Sequence, residues 1–547
     1  MQNLDHLGIV AGLVDDLEIV EQINQHLGED PRERISPGIA VKAMILNGLG
    51  LAAAPLYLFE QFFVGKATEH LLGEGVLPEH LNDDRLGRVL DALYLSGLSE
   101  LFIAICLKVA RKFGVECKSA HLDSTSFAVE GNYLSEPGVA IGVEQQSVKG
   151  TTLSESAVPA AIAITYGYSR DRRPDLKQFV MNLVCWGDGD IPAFIELADG
   201  NQADKTRFAT LMQEFKAQWN FEGLYVADSA LYSDENLKGL SGLRWLTRVP
   251  LTLNAASELV NQLPESALQT INLLDYRIAT VCCEYGGVQQ RWLVVESQER
   301  QRADLKKLDK TLVKATTHWQ SQLRQLCVQA FACEADALAA LEQFERRLPW
   351  HQLEGVRVGQ KLHYERPGKP KRATPPSRIT YHPQATLSLN PDVVAMHQRR
   401  AGRFILATNV LESEQLSEEQ ALQAYKGQQG NERGFRFLKD PLFFASSVFL
   451  KSPERIMALG MVMGLCLLVY NLGQRQLRQA LQQADQTLPN QLGKGTQRPT
   501  LRWVFQCFMA IHYVVLHGVK QMVNLSDDRR RFLQFFGSSC RQYYLLC

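Results

Sequence analysis

The sequence predicts an α/β core in which helices flank a mixed sheet, with a helical domain ahead of it and an α+β insertion inside it. Three observations lead there. Residues 1 to about 115 carry apolar residues at helical spacing. After Gly114 strand-like segments alternate with a helical one, and two of those strands carry an aspartate. A further strand and helix resume near residue 403, after a long stretch of different character. Strands alternating with helices are the signature of a layered α/β domain.

In the first segment Leu13, Val14, Leu17, Ile19, Val20, Ile23 and Leu27 recur at helical steps. Ser36-Pro37 reads as an N-cap followed by proline at the first helical position. Further helices are expected over 56–64, 84–95 and 98–113. No specific helix-turn-helix pattern occurs among them. The expected role is DNA-end binding or dimerisation, with simple packing as the alternative.

The segment 118–127 alternates, placing His121, Asp123 and Thr125 on one face of a strand. Segments 160–167, 178–184 and 191–197 are three more candidate strands, and Asp204-Lys-Thr206 opens a helix to about Trp219. Segment 221–228 reads as a strand with Leu224, Val226 and Asp228 on one face. An interruption follows: strands at 276–282 and 290–295, a charged helix around 298–346, and a Gly-, Pro-, Lys- and Arg-rich segment at 359–378. Segment 403–410 is expected as the next strand of the core sheet. Ser417 then stands three residues ahead of Gln420, a capping-box spacing.

In the helix beyond it, Tyr425, Gln428, Glu432, Arg436 and Lys439 fall at three- and four-residue steps and share a face. Gly427, Gly430 and Gly434 interrupt that stretch. Each glycine costs about 1 kcal/mol in a helix interior, so a continuous stripe is expected only from about Asn431. The chain then reads as helical and apolar to about 485, and a linker at 486–500 leads to a last helical segment. The expected divisions are 1–115, 116–250, 251–400, 401–485 and 486–547.

Composition narrows the class. At 547 residues the chain is too long for one ordinary core. A formal net charge of −1 gives no global attraction to nucleic acid, so any such binding must come from local patches. Eleven cysteines without a Cys-x-x-Cys pair argue against a thiolate zinc site and fit a reducing compartment. The N-terminus lacks a basic region followed by an apolar run, so a secretion signal is not expected. Residues 456–474 carry no charge and are long enough to span a bilayer, but end in Asn471 and Gln474; a buried core helix, with no membrane association, is the expectation.

Asp123, Asp228 and Glu432 come from a first strand, a later strand and a helix. Hard divalent cations need oxygen ligands converging from separate elements, and a pair of such ions suits in-line displacement at phosphorus. Asp188, Asp190 and Asp199 also lie at strand ends and compete for that reading.

The surrounding motifs make the pattern specific. Leu122-Asp123-Ser-Thr, Val226-Ala-Asp228-Ser-Ala-Leu-Tyr232 and Asn431-Glu-Arg-Gly-Phe-Arg-Phe-Leu-Lys-Asp-Pro441 resemble those of DDE transposases of bacterial insertion sequences, in the group marked by a Tyr-x2-Arg-x3-Glu-x6-Lys signature. Tyr425, Glu432 and Lys439 match that signature at its spacing, and Gln428 stands where it has arginine. The resemblance covers roughly 118–470, and the helices before it also look like the domain preceding such a core. It implies an RNase H-like catalytic core, with an insertion between the second aspartate and the glutamate. That accounts for the 204 positions (432 minus 228) between Asp228 and Glu432.

The resemblance further implies cut-and-paste transposition. Two Mg²⁺ ions, replaceable by Mn²⁺, would be held by Asp123, Asp228 and Glu432. Double-stranded DNA, as terminal inverted repeats and target, would be bound by a synaptic homodimer in a bacterial cytoplasm, at the nucleoid. Tyr425 and Lys439 are implied to contact phosphate. Gln428 cannot reproduce a bidentate cation, and Arg433 or Arg436 can supply the charge instead.

Other DNA contacts are expected from Arg172 and Arg173, and from Lys369, Lys371 and Arg372 in the basic 361–378 run, for which a solvated loop is the alternative. In relatives an insertion aromatic can hold a flipped base. Trp292 is the candidate here, although a strand tryptophan also fits a core. The alternatives to a transposase are an RNase H-like nuclease that does not join strands, and an inactive transposase-derived DNA-binding protein.

Overall fold

The alternating segment folds as the strand Ser119–Val129, buried along almost its whole length in the computed structural model. It pairs antiparallel with Lys177–Trp186, which pairs in turn with Ile191–Ala198. On its other side it pairs parallel with Leu224–Ala227, itself parallel to Arg244–Val249. A mixed sheet results, as expected. The structure describes residues 1–51, 54–129, 133, 160–169, 171–202, 204–365, 375–440, 450 and 452–546.

These strands, up to Thr247 of the last, belong to the first of two compact units, Met1–Thr247 with Tyr285–Val288 and Gln420–Cys547. The second is Arg248–Glu284 with Gln289–Glu419. The N-terminal helices are Leu7–Asp16, Ile19–Leu27, Pro37–Gly48, Phe59–Phe63, Thr68–Leu72, Asp83–Leu95 and Leu98–Lys112. Ser36 Oγ accepts from Ile39 N at 3.3 Å, so the Ser-Pro start is a true cap. The helices pack into the same compact unit as the sheet.

The element joining them is the helix Pro453–Gln483. It is long and apolar enough to cross a membrane, and 83% of its most apolar window is buried within the fold. Its glycines explain how: a Cβ on Gly460 would press on Leu197 of the sheet, on Gly464 on Phe102 and Ile195, and on Gly473 on Leu13. One cation inside it, Arg475, is paired with Asp188 and also donates to the Phe113 and Gly114 carbonyls.

Two readings of secondary structure need correction. Segment 160–167 forms no strand; among its residues only Thr165 bridges, to Gln178. The segment beyond the 486–500 linker is not wholly helical. It contains the strands His512–Leu516 and Val519–Val523, the former pairing with Gln2–Asn3 at the other end of the chain. Its last helix, Ser538–Tyr543, lies against Gly8 and Gly12 of the first.

In the second unit the strands run in the order Arg403–Thr408, Val288–Ser297, Tyr276–Tyr285, Gln269–Thr270. The charged segment resolves into Gln298–Val328 and Glu334–Glu345, whose Leu323, Leu341 and Phe344 form a small core. The Gly-, Pro-, Lys- and Arg-rich segment at 359–378 begins and ends within two strands. His351–His363 pairs antiparallel with Arg378–Leu389, from His363–Arg378 back to His351–Leu389, with a register shift between Glu354 and Arg357.

Candidate active site

Strand register sets the first two acids. Leu122 pairs with Ala227 as the last parallel partners, and Asp228 continues extended, at φ −73° and ψ −176°. Asp123 and Asp228 are therefore the next residues on neighbouring strands, about 4.8 Å apart, with side chains on one face. Asp123 is 8% exposed and accepts from Ser124 N at 2.8 Å. Asp228 accepts from Ala230 N at 2.9 Å, capping the tight turn Ser229–Leu231.

Glu432 comes from the helix Gln429–Leu438, which follows Glu418–Gly427 after a one-residue break at Gln428. The break explains why the stripe is not one continuous helix face. The helix also begins two residues earlier than expected. Its Gly430 and Gly434, with Gly427 at the end of the helix before it, allow close packing. A Cβ on Gly430 would overlap the Asp190 carboxylate, one on Gly427 would sit 2.8 Å from His121 Cε1, and one on Gly434 3.1 Å from Leu467. The residues that looked like flaws in the stripe form its packing face, and the opposite side is free to present Glu432.

That side faces a cleft lined by Asp123, Thr125, Glu432, Arg436, Lys439 and Asp440, among others. Two of the three expected carboxylates share it with two cations. Glu432 and Arg436 have no side-chain hydrogen bond or ion pair among the described residues. Lys439 pairs with Asp171 at 2.7 and 2.9 Å and stands 5.3 Å over the Phe127 ring.

The carboxylates that line the cleft, Asp123, Glu432 and Asp440, suit a hard cation such as Mg²⁺, with no thiolate or imidazole beside them. Among the described residues no three acidic, histidine or cysteine side chains are gathered closely enough to hold an ion. Asp228, whose Oδ1 accepts from Ala230 N in its own turn, is not among the residues that line the cleft.

The competing aspartates all have structural partners. Asp188 pairs with Arg475, Asp190 with Arg433 at 2.9 Å, and Asp199 accepts from Ala163 N at 2.7 Å. His121, two residues before Asp123, is buried, and its pKa is lowered to about 4 by that burial, against the opposing pull of Asp190 and Gln428.

The expected DNA contacts divide sharply. Arg436 and Lys439 line the cleft. Tyr425 is half-buried, and Arg433 is exposed but already paired with Asp190. Arg172 is exposed in a left-handed conformation, φ 58°, and Arg173 pairs with Asp175 at 2.8 Å. Lys369, Lys371 and Arg372 lie outside the described residues.

Two placements run against the expectation. Gln428 is 6% exposed and donates to Leu122 O at 2.6 Å, so its amide is spent on the strand beside Asp123 and is not presented to a phosphate. Trp292 is 4% exposed and its indole N–H donates to Gln290 Oε1 at 3.2 Å, a core placement that offers no ring face to a base. Asn431, not among the site residues expected from the sequence, is 1% exposed and donates to His121 O at 2.6 Å. An amide beside the glutamate, on the same side as the glycines, was the signal that could have found it.

Comparison with known proteins agrees with this geometry. Residues 121–472, well over half of the chain, match the family described as "Transposase DDE domain", and the chain belongs to that family. Residues 1–107 match a domain of unknown function (DUF4277). No curated protein matches. Among solved structures, a piggyBac transposase synaptic complex with hairpin DNA is similar at 10% identity and a TM-score of 0.38, covering 99% of this chain and 82% of that one. The mixed sheet with flanking helices fits the RNase H-like fold of DDE transposases, a family that generally uses divalent metals.

Proposed function

We propose that this chain carries out cut-and-paste transposition: it cleaves phosphodiester bonds at the ends of its element and joins the 3′-hydroxyls to target DNA. One observation carries the reading. Asp123 and Glu432 line a single cleft with Arg436 and Lys439, while Asp228 stands level with Asp123 on the adjoining strand.

Asp123, Asp228 and Glu432 would hold divalent ions, Mg²⁺ in the first instance with Mn²⁺ as a substitute. Such ions, once bound, polarise the phosphoryl oxygens and lower the pKa of the attacking water or hydroxyl. The protein's own groups do the rest. Arg436 and Lys439 neutralise the phosphate that enters between them, and the guanidinium offers a planar fork for two of its oxygens. Asp123 is fixed by strand pairing on both sides, and Glu432 by a helix seated directly on that strand. The reacting groups are thus positioned before DNA arrives.

The expected partners are duplex DNA, as terminal repeats and target, and a second copy of the chain in a synaptic homodimer. The setting would be the bacterial cytoplasm at the nucleoid. The test uses a duplex carrying the element's own terminal repeat, recovered from the DNA flanking its gene. With Mg²⁺ the protein should nick that duplex and join a pre-cut end to plasmid. Nicking without joining would favour a nuclease, and end binding without either a non-catalytic DNA-binding protein.

A further inference from the structure

We propose that Gln428 and Asn431 form an amide clamp that sets the distance between Glu432 and Asp123, and that in this chain position 428 is a positioning residue and not a phosphate contact. The inference deepens the catalytic reading above and rests on it.

The two amides are three residues apart and flank the start of the glutamate helix. Gln428 Nε2 donates to Leu122 O at 2.6 Å, and Asn431 Nδ2 donates to His121 O at 2.6 Å and reaches Leu183 O at 3.4 Å. Leu122 is the residue before Asp123, and Leu183 is the residue paired with Asp123 across the ladder. The carbonyls held are therefore those around the first catalytic aspartate, and the residue following Asn431 is the catalytic glutamate. Both side chains are more than nine-tenths buried.

The packing shows that the donors matter. Gly427, against His121 of that strand, and Gly430, against Asp190 of the neighbouring turn, bring the backbone close enough for such short side chains to reach the strand. Asn431 Oδ1 is buried with no hydrogen-bond partner among the described residues, so an amide is kept there at a cost because of what its N–H₂ does. The cation that the signature has at position 428 is replaced functionally by Arg436, which lines the cleft and is uncommitted among the described residues.

The test compares Gln428→Met and Asn431→Leu, near-isosteric changes that each remove a donor, with Gln428→Arg, which restores the residue of the signature. Three readouts are taken on the full chain: single-turnover cleavage of the terminal-repeat duplex, affinity for that duplex, and Mn²⁺ affinity by electron paramagnetic resonance without DNA. The clamp predicts a fall in cleavage rate of roughly ten- to hundredfold, as for a displacement near 1 Å, and weaker Mn²⁺ binding, with duplex affinity and melting cooperativity retained. Gln428→Arg should give no gain in duplex affinity.

Tighter duplex binding with faster cleavage in Gln428→Arg would overturn the proposal in favour of a phosphate contact. Mn²⁺ affinity unchanged in both donor-deleted variants would also overturn it. Wild-type protein that binds Mn²⁺ but does not cut the duplex would count against the transposition reading alone, and the clamp would then stand or fall on the Mn²⁺ measurement.

Discussion

Gly430→Ala is the substitution in which two physical effects oppose each other most openly. Alanine is favoured over glycine in a helix interior by about 1 kcal/mol, so a helix judged alone gains stability. The added methyl, however, would overlap the Asp190 carboxylate. Asp190 has little room to retreat. Its side chain is bonded to Arg433 at 2.9 Å, its carbonyl accepts from Asn471 Nδ2 at 2.7 Å, and its backbone is left-handed at φ 58°.

Overpacking of this kind costs about 1–3 kcal/mol, so the methyl should cancel the propensity gain and leave the variant up to about 2 kcal/mol less stable. The helix relieves the overlap by moving off the sheet, and Glu432 moves with it. Cleavage should fall roughly ten- to hundredfold, as expected for a displacement near 1 Å. Denaturant unfolding and single-turnover cleavage of the terminal-repeat duplex read the two effects separately. A Gly430→Ala protein that is about 1 kcal/mol more stable and fully active would refute the claim that close approach of this helix builds the site.

Two other outcomes follow from individual contacts. Asp171→Asn removes the carboxylate that competes with phosphate for Lys439; the pair is partly exposed, so duplex affinity should rise about two- to fivefold, measured by anisotropy at fixed salt, and no rise would mean that Lys439 does not meet DNA. His6 is buried against the Leu49 carbonyl, and burial lowers its pKa to about 4. Being neutral when folded but protonated below about 6.5 when unfolded, it contributes stability that is complete above pH 6.5 and lost as pH falls towards 4. The full loss is about 3 kcal/mol, and His6→Gln should flatten that part of the pH-stability curve; an unchanged slope between pH 6.5 and 4 would count against it.

Much of the core was legible because its signals are local. Alternation around Asp123 marked a strand, and Asp204-Lys-Thr206 marked a helix that indeed runs Asp204–Trp219. The remainder depended on partners remote in sequence. The strand His512–Leu516 takes part of its pairing from Gln2–Asn3, which no periodicity near residue 512 can announce. The apolar run at 160–167 had the composition of a strand but found a single bridging residue. A short apolar run does not by itself choose its state.

At the site, the spacing of Glu432, Arg436 and Lys439 foretold a shared face, and all three line the cleft. Gln428 sits at the spacing of a phosphate ligand yet is buried, its amide donating to Leu122 O of the strand. Glycine counts as a defect in propensity but as an asset in packing, and only the neighbouring strand decides which applies.

Asp228 bears the greatest weight in the account, since register places it beside Asp123 while its carboxylate caps the Ser229–Leu231 turn. The decisive measurement is therefore Mg²⁺-dependent cleavage of the terminal-repeat duplex by Asp228→Ala, alongside Asp123→Ala and Glu432→Ala. All three should lose cleavage while keeping end binding largely intact. Asp228→Ala cutting at the wild-type rate would contradict the three-carboxylate site and leave Asp228 as a turn cap alone.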